Sequence, residues 1–449
     1  MTTVTVLAGE RTIGGTQIVI EDHGARLLFD CGMAYDPAGN PFAHVRSRRP
    51  EALSDILTLG FAPVVPGLYR NTNPHLSPAL PPDHGPLAVA LSHSHLDHTH
   101  LAGFVDPTVP LYSSAETGRI IRVLGEAGHN SAPVTRAVGA VSPDGEFQVG
   151  YMNVRLLPVD HDVAGARGML IETSEGTIAY SGDLRLHGKH PDRSLAFARN
   201  ARAANARLLI LEGTRLTPPS EEGAPPQESR REDEVVPLTV EALENVPGRL
   251  GVVLLTPENA ERVEDMAAAV SAVGRLLVLD VEALAFVTAA LGRPMLAPHA
   301  AYVPSTVPES SLPESYRSAI ASAPEVLSAN RIAADPGSYL LRLAFDRFAD
   351  LLDLSPQGGV VVHANGQPLG RFHPAWDQLL WWIERLDMTL VQADSTGHAE
   401  PEALATIAAE SGAPVVMAIH SRYPELMPVP PERLLLPLRG HRYELNMMG

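Results

Sequence analysis

The chain has 449 residues, and its 34 Lys and Arg against 52 Asp and Glu give a formal net charge of −18. Hydrophobic residues make up 45% and charged residues 19%, which excludes a wholly disordered chain and suffices for two or three domains with buried cores. The acidic balance argues against general adhesion to nucleic acid or to anionic membranes, because both carry many negative charges.

The single cysteine, Cys31, excludes an internal disulfide framework and any zinc site built from several cysteines. We expect Cys31 to be a small buried core residue. The chain shows neither a basic and apolar leader at its start nor an apolar run of about 18 residues that would span a membrane. The expected location is therefore the cytoplasm, and no membrane partner is expected.

Short β-branched runs separated by turns open the chain and predict antiparallel strands joined as hairpins. The apolar run 86–92 predicts a strand buried on both faces, and it ends in polar residues from His93 onward. Further strands are predicted in 152–159, 168–173, 176–181 and 206–212. These elements indicate a β-rich region in the first half of the chain.

The composition changes at Arg215, where a stretch rich in proline and charge predicts a linker or an exposed loop. A strand in 251–256, a helix in 258–273 and a strand in 274–280 then predict a parallel α/β unit. Strand–helix alternation resumes near residue 359, and no internal repeat is visible. We therefore expect a β-rich domain interrupted by an inserted α/β domain.

The strongest chemical signal is the segment HSHLDH, which contains His93, His95, Asp97 and His98 directly after a predicted strand. Side chains two positions apart at a strand end point the same way, so His93 and His95 can bind one metal ion. The following turn would bring Asp97 and His98 toward a second ion. Mixed imidazole and carboxylate ligands suit Zn²⁺, with Mn²⁺ or iron as alternatives. A polar loop with incidental histidines is the competing interpretation, and the regular spacing disfavours it.

HSHLDH resembles the HxHxDH signature of the metallo-β-lactamase superfamily, and the other motifs of that family follow in order. Asp30 matches the early aspartate that supports the metal site, and His161 matches the third histidine. Asp183 matches the carboxylate that bridges two metal ions. The resemblance implies an α/β fold, the αββα four-layer sandwich of the superfamily, with two divalent metal ions per chain. The implied ligands are His93, His95 and His161 for one ion, Asp97, His98 and His420 for the other, and Asp183 for both.

The second half of the chain narrows the resemblance to the β-CASP branch of the superfamily. Glu212 matches its first extra acidic motif, His398 in STGHA resembles its SGHA motif, and His420 resembles its terminal histidine. The similarity covers about residues 1–440 and is closest to the ribonuclease J type, without that type's extra C-terminal domain. It implies a discontinuous core domain, residues 1–214 and 366–449, and an inserted β-CASP domain, residues 215–365.

The resemblance implies a metal-dependent phosphodiester hydrolase, most directly a ribonuclease of RNA processing or 5′→3′ decay. Two ions would lower the pKa of a shared water, and the resulting hydroxide would attack phosphorus in line. The implied catalytic residues are Asp97, Asp183, His398 and Glu212. Asp30 and Glu212 would orient ligand imidazoles from outside the ligand set. The implied phosphate-binding residues are Asn365, Gly366, Ser395, Thr396, Gly397 and His398.

Four side chains outside these motifs each have two possible interpretations. Arg262 and Arg371 are candidate contacts to a nucleic-acid backbone, with an exposed ion pair as the alternative. Trp381 and Trp382 are expected in the core face of an amphipathic helix, with base stacking as the alternative.

Three functions remain open from the sequence. The first is a nuclease acting on single-stranded RNA or short oligonucleotides, with DNA as another substrate and a homodimer as a compatible assembly. The second is a dinuclear hydrolase of a small ester, lactone or phosphodiester. The third is a non-catalytic binding subunit, which would normally lose metal ligands, whereas all seven are present here. The acidic balance favours short oligonucleotides over long structured RNA.

Overall fold

The computed structural model describes residues 1–36, 39, 53–70, 85–130, 132–141, 145–218, 230–304, 308 and 311–448. Within these ranges, the strands of the first half are β1 (Thr2–Ala8), β2 (Gln17–Asp22), β3 (Ala25–Phe29), β4 (Leu87–Ala90), β5 (Leu111–Ser113), β6 (Gly139–Ala140), β7 (Glu146–Val149), β8 (Met152–Pro158), β9 (Arg167–Thr173), β10 (Gly176–Tyr180) and β11 (Ala206–Glu212). Those of the second half are β12 (Gly251–Leu255), β13 (Leu276–Asp280), β14 (His299–Tyr302), β15 (Val326–Leu327), β16 (Tyr339–Arg342), β17 (Val360–Ala364), β18 (Thr389–Gln392), β19 (Val415–Ile419), β20 (Leu434–Leu435) and β21 (Arg442–Glu444).

The α-helices lie between these strands. They are α1 (Leu53–Thr58), α2 (Leu96–Thr99), α3 (Ala115–Ala127), α4 (Pro191–Ala203), α5 (Glu232–Glu244), α6 (Ala260–Ala272), α7 (Val281–Leu291), α8 (Glu314–Ser322), α9 (Ala329–Ala334), α10 (Trp376–Arg385) and α11 (Pro401–Ser411). Across the described part of the chain, none of the helices has the length and apolar composition needed to cross a membrane.

The described strands form three sheets of seven strands each. The first sheet has the order β21-β1-β2-β3-β4-β5-β6, and the second has the order β20-β19-β11-β10-β9-β8-β7. Both sheets contain antiparallel hairpins, β1–β2–β3 in one and β7 to β10 in the other, and both continue as parallel strands. The hairpins that the sequence predicts at the start of the chain are therefore confirmed.

The first two sheets pack face to face, and one apolar core lies between them. Ile18 and Phe29 of the first sheet and Tyr180 and Ile210 of the second are at most 1% exposed in this core. Each such side chain stabilises the fold by roughly 1.5–3 kcal/mol relative to exposure. Helices α1 and α3 cover the outer face of the first sheet, and α4 and α11 cover that of the second. The predicted α/β fold, an αββα four-layer sandwich, is confirmed.

The third sheet has the order β15-β14-β13-β16-β12-β17-β18, and its pairs are all parallel. Strands β12 and β17 are buried along their whole length, as expected for parallel strands covered on both faces. Helices α5, α6 and α7 pack on one face and α10 on the other. The sheet includes β18 and therefore continues past residue 365, which is the predicted end of the inserted domain. The domain boundaries themselves remain a prediction.

Two local predictions are wrong, and Cys31 is buried as predicted. Residues 219–229 of the expected linker after Arg215 lie outside the described residues, and the part from Glu232 onward is helical, because Val235 and Leu243 of α5 pack into a core. Trp381 is not a core residue: it is 53% exposed, while Trp376 supplies the buried indole of α10.

Candidate metal centre

The seven predicted ligands all follow the carboxyl end of a strand of the sandwich. Strand β4 is followed by His93, His95, Asp97 and His98, β8 by His161, β10 by Asp183 and β19 by His420. The ends of these strands lie at one edge of the two sheets. The structure therefore brings residues from widely separated parts of the chain into one cluster.

Three imidazoles form the first group of this cluster. The His93 Nε2 atom lies 3.2 Å from His95 Nδ1, which in turn lies 3.2 Å from His161 Nε2. Ligand atoms of these three residues lie within 4.8 Å of one another, close enough to hold one ion. This is the set that the sequence assigns to the first ion.

Asp97, His98 and His420 form the second group. The His98 Nε2 atom lies 3.1 Å from His420 Nε2, and Asp97 Oδ2 lies 3.2 Å from His420 Nε2. This set also fits within 4.8 Å. Two glycines make room for Asp97: a Cβ at Gly32 would lie 1.7 Å from its carbonyl oxygen, and one at Gly14 would lie 2.1 Å from Oδ2. Neither glycine stands out in the sequence, because the close contact with Asp97 arises only in the fold.

Asp183 lies between the two groups. Its Oδ2 atom is 3.6 Å from His93 Nε2, 3.1 Å from His98 Nε2 and 3.5 Å from His420 Nε2. This oxygen is buried and has no hydrogen-bond partner. A carboxylate oxygen in that position can contact an ion of either group, which is the arrangement that a bridging ligand requires.

Outer contacts orient the imidazoles. The His161 Nδ1–H donates to Gly397 O at 2.6 Å, and the His98 Nδ1–H donates to Asp30 Oδ2 at 2.9 Å. Because the outer nitrogen carries the proton in a neutral ring, the inner Nε2 presents a lone pair. Ser92 Oγ lies 2.9 Å from His93 Nδ1. The Nε2 atoms of His93 and His161 thus face the cluster as acceptors.

Asp30 lies beneath the cluster and is fully buried. Its carboxylate accepts hydrogen bonds from Ser92 N at 2.7 Å and from Tyr180 Oη at 2.6 Å, besides the one from His98. Asp30 and His420 both have positive φ, 54° and 52°, a strained conformation for residues other than glycine. The surrounding contacts hold both side chains toward the cluster.

Burial and neighbouring charges set the protonation of these groups. Burial lowers the pKa of His93, and it lowers that of His161 to about 4, so both rings are neutral near pH 7. For His98, burial acts in the same direction, but Asp183, Asp97 and Asp30 outweigh it and raise the pKa. Asp183, Asp97 and Asp30 therefore favour a positive charge at His98.

His398 lies beside the cluster and is 20% exposed. Its Nδ1 atom is 3.5 Å from Glu212 Oε1 and 3.8 Å from Asp183 Oδ2. Burial disfavours the imidazolium, but Glu212 and Asp183 outweigh it and raise the pKa of His398 to about 9. Glu212 is fully buried and also accepts from the amide of Thr214 at 3.0 Å. The contact of Glu212 is with His398, not with one of the seven predicted ligand side chains.

The predicted phosphate-binding residues lie on two loops that meet near His161. Asn365 and Gly366 follow β17, and 395–398 precede α11. The Asn365 Nδ2 atom donates to Asp162 Oδ2 at 2.7 Å, and Gly397 packs against the same aspartate. Asp162 is a site residue that the sequence analysis missed, although it adjoins His161 in the segment DHD. The role of the two loops in phosphate binding stays a prediction.

The structure separates the two predicted arginines. Arg262 is 1% exposed and pairs with Glu232, so it is not an exposed ion pair. Its Nη1 and Nη2 atoms also donate to the carbonyls of Ala364 at 2.8 Å and Ser395 at 3.0 Å. Arg262 therefore holds the two loops from within and has no donor left on the surface. Arg371 is exposed, and its contact to nucleic acid stays a prediction.

Comparison with known proteins gives a family for part of the chain. The model of the beta-lactamase superfamily domain matches residues 62–260. The chain is 28% identical over 205 residues to ribonuclease J of Thermus thermophilus, over 43% of this chain and 34% of that protein. It is 26% identical over 282 residues to ribonuclease J of Mycolicibacterium smegmatis, over 61% of this chain and 43% of that protein. The matches thus span less than half the length of these curated relatives.

A solved structure resembles the chain over almost its whole length. The crystal structure of a protein of unknown function from Enterococcus faecalis V583 has a TM-score of 0.81 and 29% sequence identity, and covers 98% of this chain and 99% of that chain. Residues 62–260 match the beta-lactamase superfamily domain, and the chain resembles ribonuclease J, as its motifs predict. The family and the histidine and carboxylate clusters support a metal-dependent hydrolase.

Proposed function

We propose that this protein is a metal-dependent phosphodiester hydrolase that cleaves single-stranded RNA at a centre of two divalent ions. The observation that carries the proposal is the convergence of acceptor atoms. Inner nitrogens lie 3.1–3.2 Å apart with the unpartnered Asp183 Oδ2 among them. The lone pairs of the neutral His93 and His161 rings repel at that distance, and a bound cation would satisfy them. At His98, the positive charge that the surrounding carboxylates favour would then come from the cation instead of a proton.

The donor set fits zinc, with manganese as the alternative. His93, His95 and His161 would hold one ion, and Asp183 would contact both. Asp97, His98 and His420 would hold the other. Nitrogen and carboxylate ligands of this kind are those that Zn²⁺ takes in hydrolases.

When bound, two such ions provide Lewis acidity at the phosphoryl oxygens and a nucleophile at neutral pH. The chain's own residues supply the rest of the chemistry. Glu212 holds the Nδ1 side of His398, which leaves Nε2 free to give a hydrogen bond or a proton to the scissile phosphate. Asp30 keeps the His98 ring in the orientation that aims Nε2 inward.

RNA is the proposed substrate because the curated relatives are named ribonuclease J. The 5′→3′ exonuclease action that the resemblance to the ribonuclease J type implies is part of the proposal, with internal cleavage as the alternative. The net charge of −18 favours short oligonucleotides over long structured RNA.

The test is incubation of zinc- or manganese-loaded protein with 5′-labelled single-stranded RNA carrying a 5′-hydroxyl, a 5′-monophosphate or a 5′-triphosphate. We expect cleavage that stops in chelator and in the Asp183→Asn variant. A ladder of products distinguishes internal cleavage from release of single nucleotides. Metal-loaded protein that leaves all three RNAs intact would contradict the proposal.

The acidic charge favours one further candidate, a hydrolase of a small uncharged ester or lactone or of a small phosphodiester. A polyanion is repelled by a chain with a charge of −18, whereas a small substrate is much less affected. Turnover of a chromogenic phosphodiester or ester without RNA cleavage would select this candidate. It uses the same two ions and the same residues.

A further inference from the structure

Asp162 has two carboxylate oxygens with different environments. The side chain is 5% exposed, and Oδ2 accepts the hydrogen bond from Asn365 Nδ2 at 2.7 Å. The Oδ1 atom is buried and has no hydrogen-bond partner. A buried acceptor without a donor costs about 1–3 kcal/mol, and more when the group is charged. The fold keeps this oxygen in place although no donor among the described residues satisfies it.

The unpartnered oxygen faces the first group of imidazoles. Asp162 Oδ1 lies 3.3 Å from His161 Nε2 and 3.8 Å from His95 Nε2. Because His161 Nδ1–H donates to Gly397 O, a neutral His161 ring presents a lone pair toward this oxygen. Two ligands of one tetrahedral zinc ion lie about 3.4 Å apart when each bond is about 2.1 Å. The separation of Asp162 Oδ1 from His161 Nε2 matches that spacing.

Asp183 Oδ2 provides an internal comparison. It too is a buried carboxylate oxygen without a hydrogen-bond partner, and it lies 3.1 Å from His98 Nε2. Asp183 Oδ2 lies between the two groups, whereas Asp162 Oδ1 lies beside the first group, 3.3 Å from His161 Nε2. The two oxygens share burial, the lack of a hydrogen-bond partner among the described residues, and an imidazole nitrogen close by.

Two residues fix the position of the Asp162 carboxylate. Asn365, which follows β17 of the third sheet and has a φ of 68°, holds Oδ2 through its amide. Gly397 leaves the space for Oδ1, because a Cβ at that residue would lie 2.2 Å from this oxygen. A loop of the third sheet and the loop before α11 therefore both position one carboxylate.

We propose that Asp162 is a further metal ligand, which binds through Oδ1 the ion that His93, His95 and His161 hold. The inference rests on the proposed function, because it assumes that this ion is bound. In this arrangement Asn365 positions Asp162. Its side-chain amide is then occupied by Asp162 and does not contact a substrate phosphate. The first ion then has one more anionic ligand than the motifs predict.

The test measures metal affinity and ligand geometry in the full-length protein. Zinc is titrated in competition with a chromophoric chelator, and the visible absorption of the cobalt-substituted protein reports coordination number. We expect Asp162→Asn to lower the affinity for one of the two zinc ions by at least about tenfold and to change the cobalt spectrum. Asn365→Ala should weaken the same ion less, because it loosens the carboxylate without removing it.

Asp160→Asn is the matched control. Asp160 flanks His161 on the other side and is 3% exposed, but it contacts Arg185 and the His190 amide instead of the imidazoles. We expect this variant to keep both zinc affinities and the cobalt spectrum. If Asp162→Asn binds two ions with unchanged affinity and an unchanged cobalt spectrum, the inference is overturned and the proposed function is not affected. Less than one ion in the unaltered protein would overturn the proposed function with it. Circular dichroism in chelator verifies that each variant is folded.

Discussion

The protein buries two charged clusters close together, and they are built on opposite principles. One is the candidate metal centre. The other, which we call the buried ion network, consists of Asp160, Arg185, Glu232 and Arg262, each at most 4% exposed. The network joins residues of the sandwich to helices α5 and α6 of the third sheet.

Every strong contact in the buried ion network joins a donor to an acceptor. Arg262 Nε and Nη2 each lie 2.6 Å from a Glu232 oxygen, and Arg185 Nη1 lies 2.9 Å from Glu232 Oε2. Arg185 also donates to Asp160 Oδ1 at 3.3 Å and to Thr396 O at 3.0 Å. Both guanidiniums are thereby satisfied by the chain itself.

In the candidate metal centre, acceptors face acceptors. Among the described residues, Asp183 Oδ2 and Asp162 Oδ1 lack donors, and the neutral rings of His93 and His161 turn their Nε2 lone pairs toward the cluster. Equal burial therefore has different consequences. The network is complete without a ligand and stabilises the fold, whereas the metal centre is complete only with cations. The two clusters are therefore distinguished by whether donors are paired with acceptors. The number of charges does not distinguish them.

The largest expected effect is the loss of activity in Asp183→Asn. The bridging carboxylate helps to hold both ions, whose Lewis acidity is worth several kcal/mol, so RNA cleavage should fall by at least about a thousandfold. Initial rates at saturating zinc measure this effect. Unfolding of the metal-free variant at lower urea would show that the centre is structural.

Arg262→Leu should break the other cluster. It leaves the buried Glu232 with Arg185 as its remaining described ion-pair partner, and removal of one partner from a buried pair costs about 3–5 kcal/mol. Urea unfolding in chelator measures the change. Arg199→Leu is the control, since its ion pair with Glu410 is exposed and is worth about 0–1 kcal/mol. A loss below about 1 kcal/mol for Arg262→Leu would contradict the view that the network stabilises the fold.

The pH dependence of stability should identify Glu232. Burial raises its pKa, but the hydrogen bond and charge of Arg262 and the charge of Arg185 outweigh burial and lower it from 4.5 to about 2. Because the folded pKa is the lower one, this stabilisation is present above pH 4.5 and is lost as the pH falls toward 2. It amounts to about 3 kcal/mol. Urea midpoints between pH 6 and pH 3 should fall less steeply in Glu232→Gln than in the unaltered protein.

The smallest effect is expected for Asp30→Asn. The variant keeps all seven predicted ligands but loses the charged acceptor that orients His98, so zinc affinity should fall by about 10–100-fold. The chelator competition assay measures it. Tyr180→Phe removes one donor to Asp30 and keeps the carboxylate, so its effect should be weaker. If Asp30→Asn and the unaltered protein have equal zinc affinities, Asp30 does not contribute to metal binding.

Much of this organisation was predictable from local patterns. HSHLDH after an apolar run indicates a metal site at a strand end, and the ordered motifs lead to the four-layer sandwich. Helix α5 was missed because a short charged stretch shows no helical period until a core covers Val235. Asp162, Gly14 and Gly32 were missed because their importance comes from contacts across long sequence separations. Arg262 was misjudged since a charge is assumed exposed unless its buried partner is known.

The position of His420 has a consequence for the order of folding. It pairs with His98 across 322 residues, and the whole third sheet lies between them in the chain. Strand β19 must add to the edge of β11 before the second group is assembled, and contacts between such distant residues form late. The second ion can thus bind fully only after residue 420 has been synthesised and β19 has joined its sheet. In a refolding experiment, zinc uptake at this position would mark the final stage of assembly.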